Sequence, residues 1–234
     1  MKLIIVLLLF GVSTIANAQE IKGYKFTGSR EYQYNHKGEK IEKHTFDSSH
    51  KRENFVCYKY DVNGNKIETL KFSNDSVLLT RYVYFFNAEN QKIRNIKIDY
   101  QENIETSKIY INNEKGENIR TDYFDRNGLA KYSEITYTDK GEAETRKSFD
   151  KTGKLTSEYR YDYNYINGNV VEKKRFSKGK LASKTLYEYD KNGFKKGYSS
   201  NYVSSRRTSK KRLYKYNEEG QCVQSLVYEK INSK

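Results

Sequence analysis

The chain has 234 residues and a formal charge of +14, with 35% hydrophobic residues, a mean hydropathy of -0.99 and no proline. So polar a chain excludes a thick two-layer core. Its 23 tyrosines and 11 phenylalanines also set it apart from disordered chains, which are poor in aromatics. A thin sheet braced by cross-strand ring pairs satisfies both facts.

The N-terminus has the layout of a secretory signal peptide. Lys2 supplies the positive start, Leu3 to Phe10 form an unbroken apolar run, and Ala16-Asn17-Ala18 is a small-x-small cleavage site. Cleavage is expected after Ala18, so that residues 1–18 are the signal and Gln19 begins the mature chain. The apolar run falls short of the roughly 20 residues a membrane-spanning helix needs. No cysteine at the cleavage site offers a lipid anchor, and no second apolar stretch follows. The expected location is therefore the periplasm, the cell surface or the medium, without stable membrane insertion. In an exported protein, a basic balance excludes nuclear or ribosomal roles. It points to lipopolysaccharide, acidic glycans, acidic proteins or extracellular DNA, of which nucleic acid ranks last. Alternating Lys and Glu on strand faces would equally keep a repetitive sheet soluble.

From residue 30 onward the chain repeats. Short turns close at Gly38, Gly64, Asn90, Gly116, Gly141, Gly193 and Gly220, with an irregular loop around Gly168; the first four closing residues are spaced by 26. Seven turns open with Asn, Asp or Thr, as in Asn35–Gly38, Asp61–Gly64 and Asp190–Gly193. Asn and Asp there can bond their own backbone two residues on. The closing residue must accept the left-handed conformation, which Gly does freely and Asn tolerates.

Six residues before the closing residue stand Tyr32, Tyr58, Tyr84, Tyr110, Ile135, Tyr187 and Tyr214. Four before it stand Tyr34, Tyr60, Phe86, Asn112, Tyr137, Tyr189 and Tyr216. In the irregular unit Tyr159 and Tyr161 are the expected equivalents. Side chains alternate along a strand, so each Tyr-x-Tyr puts both rings on one face. A four-residue loop would set the first tyrosine opposite the aliphatic residue three after the turn, such as Tyr32 opposite Ile41 or Tyr58 opposite Ile67. That aliphatic residue and the Phe at plus eight (Phe46, Phe72, Phe124) are an odd number apart. Either both faces carry aromatics or a bulge shifts the register. A half-period turn, as in Phe124–Gly128, Phe149–Gly153 and Phe176–Gly179, divides each unit into two strands. The prediction is all-β: an open, curled antiparallel meander or solenoid of about sixteen strands, in eight two-strand repeats, forming one domain over residues 19–234. An outer-membrane barrel is not expected, because strands such as Val171–Phe176 carry Glu, Lys and Arg, whereas such barrels need an apolar lipid-facing side.

Tyr58-Lys59-Tyr60-Asp61-Val62-Asn63-Gly64-Asn65-Lys66-Ile67 and Tyr187-Glu188-Tyr189-Asp190-Lys191-Asn192-Gly193 resemble the YD repeat of RHS proteins. Half-units such as Phe149-Asp150-Lys151-Thr152-Gly153-Lys154-Leu155 are similar to MORN-like repeats. The likeness spans nearly the whole mature chain, and the signal peptide resembles those of Bacteroidetes. This resemblance implies a β-hairpin array in a bacterial envelope or exported protein, with carbohydrate binding as a proposed role. The chain departs from large RHS proteins in being short, without a toxin domain or protease-like segment, so it cannot enclose a cargo polypeptide.

Chemical motifs are sparse. His36, His44 and His50 have no metal-ligand spacing, and no Ser/His/Asp arrangement or phosphate loop occurs. No cofactor, metal or catalytic residue is expected. The expected function is a non-enzymatic binding module for a glycan or protein. The alternatives are a structural or immunity-type partner of another exported protein, and a polymer hydrolase using two carboxylates. Two candidate sites stand out. Tyr34, Tyr60, Tyr137, Tyr189 and Tyr216 could stack on ligand rings, although the same rings could simply pack the sheet. Arg206, Arg207, Lys210, Lys211 and Arg212 could project from a loop to grip phosphate or sulfate; Lys173-Lys174-Arg175 is weaker because alternation splits it between faces. In an open array Cys57 and Cys222 would lie about 58 Å apart, at ~4.8 Å per strand over twelve strands, so they are expected as free thiols or in a bridge between chains.

Overall fold

The computed structural model describes Ile21, residues 24–203 and residues 208–231. The export signal with its cleavage site, and Arg206 and Arg207, lie outside the described residues. Sixteen strands follow one another: β1 (Tyr24–Tyr34), β2 (Lys40–Phe46), β3 (Arg52–Tyr60), β4 (Lys66–Ser73), β5 (Leu78–Phe86), β6 (Lys92–Asp99), β7 (Ile104–Asn112), β8 (Asn118–Asp125), β9 (Gly128–Tyr137), β10 (Ala143–Asp150), β11 (Leu155–Ile166), β12 (Asn169–Ser177), β13 (Lys180–Tyr189), β14 (Lys195–Tyr202), β15 (Lys210–Tyr216) and β16 (Cys222–Lys230). Each pairs antiparallel with its chain neighbour. In addition β1 pairs with β16, from Tyr24 opposite Lys230 to Glu31 opposite Gln224. The sheet is a closed barrel, which overturns the expected open, curled meander or solenoid.

The turns form by the local chemistry the sequence implies. The Asn35 side-chain oxygen accepts bonds from the Lys37 and Glu39 amides at 3.0 and 2.9 Å, and Asp61 and Asp190 do the same in their turns. Asn90 takes the left-handed conformation (φ 59°) where its sister turns use glycine. The irregular unit is a two-residue hairpin, with Asn167 and Gly168 both left-handed (φ 50° and 79°). That lengthens β11 and brings Tyr163 rather than Tyr161 to the seam position described below.

Closure has a visible cause. Register shifts occur in fourteen of the sixteen strand pairings, so the wall bends and twists at almost every step. After each main turn the shift falls on the residue at plus three, which is aliphatic except at Glu144 and Lys196. Gln33 pairs with Glu42 and Tyr34 with Lys40, skipping Ile41; Lys59 pairs with Glu68 and Tyr60 with Lys66, skipping Ile67. The expected pairing of Tyr32 with Ile41 and Tyr58 with Ile67 is therefore wrong: Tyr32 faces Lys43 and Tyr58 faces Thr69. The bulge also explains the odd spacing, since it leaves the tyrosines before each main turn on one face of the wall and the phenylalanines at plus eight on the other.

A repeated hydrogen bond ties each hairpin to the one before it. The Tyr60 hydroxyl donates to the Lys40 carbonyl at 2.8 Å, Tyr137 to Asn118, Tyr163 to Ala143, Tyr189 to Val170 and Tyr216 to Lys195, all at 2.7–2.9 Å. Asn112 substitutes its amide toward the Lys92 carbonyl at 3.3 Å. The same bond closes the ring, from Tyr34 in the first hairpin to the Cys222 carbonyl in the last at 2.9 Å. Each tyrosine bridges two strands to reach a carbonyl beside a bulge.

The phenylalanine face also carries ion pairs. Glu68 is buried there, held by Lys59 and Arg81, each at 2.6 Å. The Lys59 hydrogen bond, with that of Arg81, outweighs the cost of burial and holds the Glu68 carboxyl below the usual carboxylate range. A group depressed in the folded state stabilises above its unfolded pKa, and that contribution is lost as pH falls through the folded value. We therefore expect Glu68→Gln to melt below the wild type at neutral pH, with the gap narrowing on acidification below about pH 4, near the unfolded carboxylate value. Thermal melts across pH check this, and a gap independent of pH would refute it.

Closure also brings the two cysteines nearer to each other. Cys57 on β3 and Cys222 on β16 are only three strand steps apart through β2 and β1, about 14 Å at ~4.8 Å per step, not 58 Å. Cys57 shares the phenylalanine face, pairing with Glu42 and Leu70, whereas Cys222 pairs with Tyr216 on the tyrosine face. Both thiols are free, and the sheet itself stands between them.

Candidate ligand site on the inner wall

Desolvation identifies the inward face. Burial raises the phenol pKa of Tyr34, Tyr84, Tyr110 and Tyr187, and that of Tyr58 and Tyr163 to about 12. It lowers the ammonium pKa of Lys40, Lys43, Lys92 and Lys173. Alternation and register put all of these on one face. Lys43 on β2 also feels the charge of Arg212 on β15, three strands away, as side chains converging inside a ring do. The tyrosine face is the lumen.

Along this face tyrosines pair with cations across the strands: Tyr32 with Lys43, Tyr123 with Lys131, Tyr159 with Arg146, Tyr161 with Arg175 and Tyr163 with Lys173. The cations stand over the rings. Lys40 lies 4.0 Å from the Tyr32 ring centre, Lys173 4.4 Å from Tyr161 and Arg175 4.8 Å from Tyr159. These are cation–π contacts in a part-desolvated setting, each worth about 0.5–2 kcal/mol.

Two adjoining hollows open in this wall. The first, about 420 Å³, lies over β8–β12. Its floor is a row of small hydroxyl residues in register across three strands, Ser133, Ser148 and Ser157, continued on β8 by Thr121. Lys131, Arg146 and Arg175 line its sides with Tyr159 and Tyr161. The second, about 260 Å³, lies over β11–β14, with Ser183 and Thr185 beneath Lys173 and Tyr187. Tyr161 and Arg175 border both hollows, and no carboxylate lines either. Burial, with the positive charge of Arg175 beside it, pushes the Lys173 ammonium down, the mark of cations gathered without a counter-ion.

The candidate residues named from sequence are placed differently. Tyr34, Tyr60, Tyr137, Tyr189 and Tyr216 line the lumen, but their hydroxyls are the seam bonds of the wall. Of the five, Tyr189 borders a third hollow of about 420 Å³ toward the turn rim. The basic segment is not gathered into a loop patch. Lys210, Lys211 and Arg212 begin β15. Lys210 pairs with Glu229 at 2.9 Å, Lys211 with Glu188 at 3.6 Å on the outer wall, and Arg212 turns inward over Tyr198. Among the described residues no group of His, Cys, Asp and Glu could hold a metal.

Sequence reasoning missed Lys131, Arg146 and the serines and ranked Lys173-Lys174-Arg175 as the weaker basic segment, although a signal existed. Eight residues before the turn-closing residue stand Arg30, Val56, Tyr82, Lys108 and Arg212, yet Ser133 and Thr185 occupy that place in two units. Those small residues floor the two hollows. In Lys173-Lys174-Arg175, alternation sends Lys174 outward to Glu172 at 3.1 Å but leaves Lys173 and Arg175 together inside.

Neither a family model nor a curated protein matches the chain. Among solved structures it is similar to a porin-like protein from Bacteroides uniformis, at 12% identity and a TM-score of 0.50, covering 88% of this chain and 96% of that one. A weaker likeness, at 10% identity and a TM-score of 0.34, is to TcdB2-TccC3-TEV, covering 81% of this chain but 13% of that one. The Photorhabdus luminescens Tc holotoxin pore gives 10% identity and a TM-score of 0.31, covering 82% and 13%. The chain thus spans about an eighth of those toxin chains. At these identities the porin-like neighbour speaks for the fold alone: a closed, all-β, repeat-built barrel.

Proposed function

We propose that this chain is an exported, non-catalytic envelope barrel that binds an acidic glycan against its inner wall. The observation that carries this reading is the pair of adjoining hollows lined by tyrosines, lysines and arginines with no carboxylate. Aromatic faces stack on sugar rings while hydroxyls and cations bond the ring substituents and their charges. The export signal and the YD-like repeats support an envelope setting.

The test is a series of dextrans with one backbone: unmodified, carboxymethylated, sulfated and phosphorylated. Acidic dextrans should retard the protein in affinity gels, and salt should weaken the effect; equal retardation by plain dextran, or none by any, would overturn the reading.

The porin-like neighbour favours a second reading, a pore inserted in the outer membrane. The outer wall opposes it. Ion pairs such as Arg120 with Asp122 at 2.8 Å, and Glu172 with Lys174 and Lys184, stand mid-strand around the circumference. In a lipid-facing band each such cation costs about 2–4 kcal/mol near the bilayer midplane.

A further inference from the structure

Inside the first hollow, two polar groups are buried without a hydrogen-bond partner: the Ser133 hydroxyl and the Arg175 Nε–H. Ser133 is only 2% exposed, and both residues line the same space. Buried donors without partners are costly and rare in native proteins. Here they coincide with uncompensated charge, since no carboxylate reaches the hollow. The wall is built for an acceptor that supplies both negative charge and several oxygens.

The direction of the donors narrows its shape. Lys131 comes from β9, Arg146 from β10 and Arg175 from β12, while Ser133, Ser148 and Ser157 lie beneath on three adjacent strands. A planar carboxylate offers two oxygens in one plane and suits a single fork-shaped partner. Donors arriving from three strands and from the floor suit a tetrahedral anion with three terminal oxygens.

Resting on the acidic-glycan reading above, we infer that the first hollow is a subsite for a sulfate or phosphate ester carried on a sugar. Arg175 is its specificity-determining residue, and Tyr159 and Tyr161 flank the ester-bearing ring. The second hollow, sharing Arg175 and Tyr161, takes the next sugar of the chain.

The same dextran series separates this inference from the reading beneath it. Sulfated or phosphorylated dextran should bind about tenfold tighter than carboxymethyl dextran of matched substitution, the factor equivalent to 1.4 kcal/mol. Whichever ester binds more tightly identifies the natural group. Arg175→Gln should lower both affinities but that for the ester about tenfold more, so that the preference disappears, and Arg175→Lys, which keeps the charge but not the fork, should recover only part of it. Ser133→Ala, which deletes the orphan hydroxyl, should weaken ester binding more than carboxymethyl binding. Thermal melts of the lysine and alanine variants ensure that folded proteins are compared. Equal affinity for carboxymethyl and ester dextrans, or an equal loss of both on Arg175→Gln, would overturn the ester subsite and leave the acidic-glycan reading standing. Failure of every acidic dextran would overturn both.

Discussion

Gly28→Ala should destabilise the barrel by at least about 3 kcal/mol, combining backbone strain with overpacking. Gly28 lies on β1, the strand that closes the ring, with φ +147°, a conformation that side chains rarely adopt. A Cβ there would fall well inside van der Waals contact of the Phe46 carbonyl oxygen on β2. The clash is with backbone of the neighbouring strand, so no rotamer relieves it. Either β1 withdraws from β2 or the bulge between Phe26 and Gly28 is lost. Urea unfolding would measure the loss, and hydrogen exchange should show protection failing first along β1 and β16. A melt within about 0.5 kcal/mol of wild type, the range of an inert surface change, would show that ring closure does not depend on this approach.

Replacing Tyr34, Tyr137 and Tyr189 together by phenylalanine should cost about 3 kcal/mol, near 1 kcal/mol for each hydroxyl removed. The three bonds, to the carbonyls of Cys222, Asn118 and Val170, sit in separate parts of the ring, so their effects should add. Each deletion keeps the ring and leaves a carbonyl beside a bulge without its donor. The native chain contains one such site, Phe86, where the sister units carry tyrosine or asparagine. The converse change, Phe86→Tyr, should therefore stabilise by up to about 1 kcal/mol. A triple variant as stable as wild type would mean that water replaces these bonds at no cost.

Much of the architecture is local and can be read along the chain. Asn35, Asp61 and Asp190 announce their turns because the side chain bonds the backbone two and four residues on. Gly38 and its equivalents mark the left-handed closing position, and the 26-residue spacing between turns implies two strands per unit. Tyr-x-Tyr declares a shared face because strand alternation is a property of the backbone itself. Even the odd spacing between Ile41 and Phe46 signals that a bulge or a second aromatic face is needed.

Closure is not local in that sense. One bulge bends a strand by a small amount, and the sum over fourteen shifted pairings decides whether β1 meets β16. Composition carries no record of that sum, so an open meander and a ring look alike until the strands are assembled. The candidate ligand site follows from closure. Lys131, Arg146 and Arg175 stand 15 and 29 residues apart in sequence and converge only because three strands curve around one lumen. Ser133 becomes an orphan donor only when the rings and cations of neighbouring units cover it. The tyrosine pattern reflects the repeat, since the seam needs a hydroxyl of fixed reach in almost every unit. The proposed binding surface lies where the repeat is broken by small residues, and the curvature of the finished barrel turns that break into a hollow.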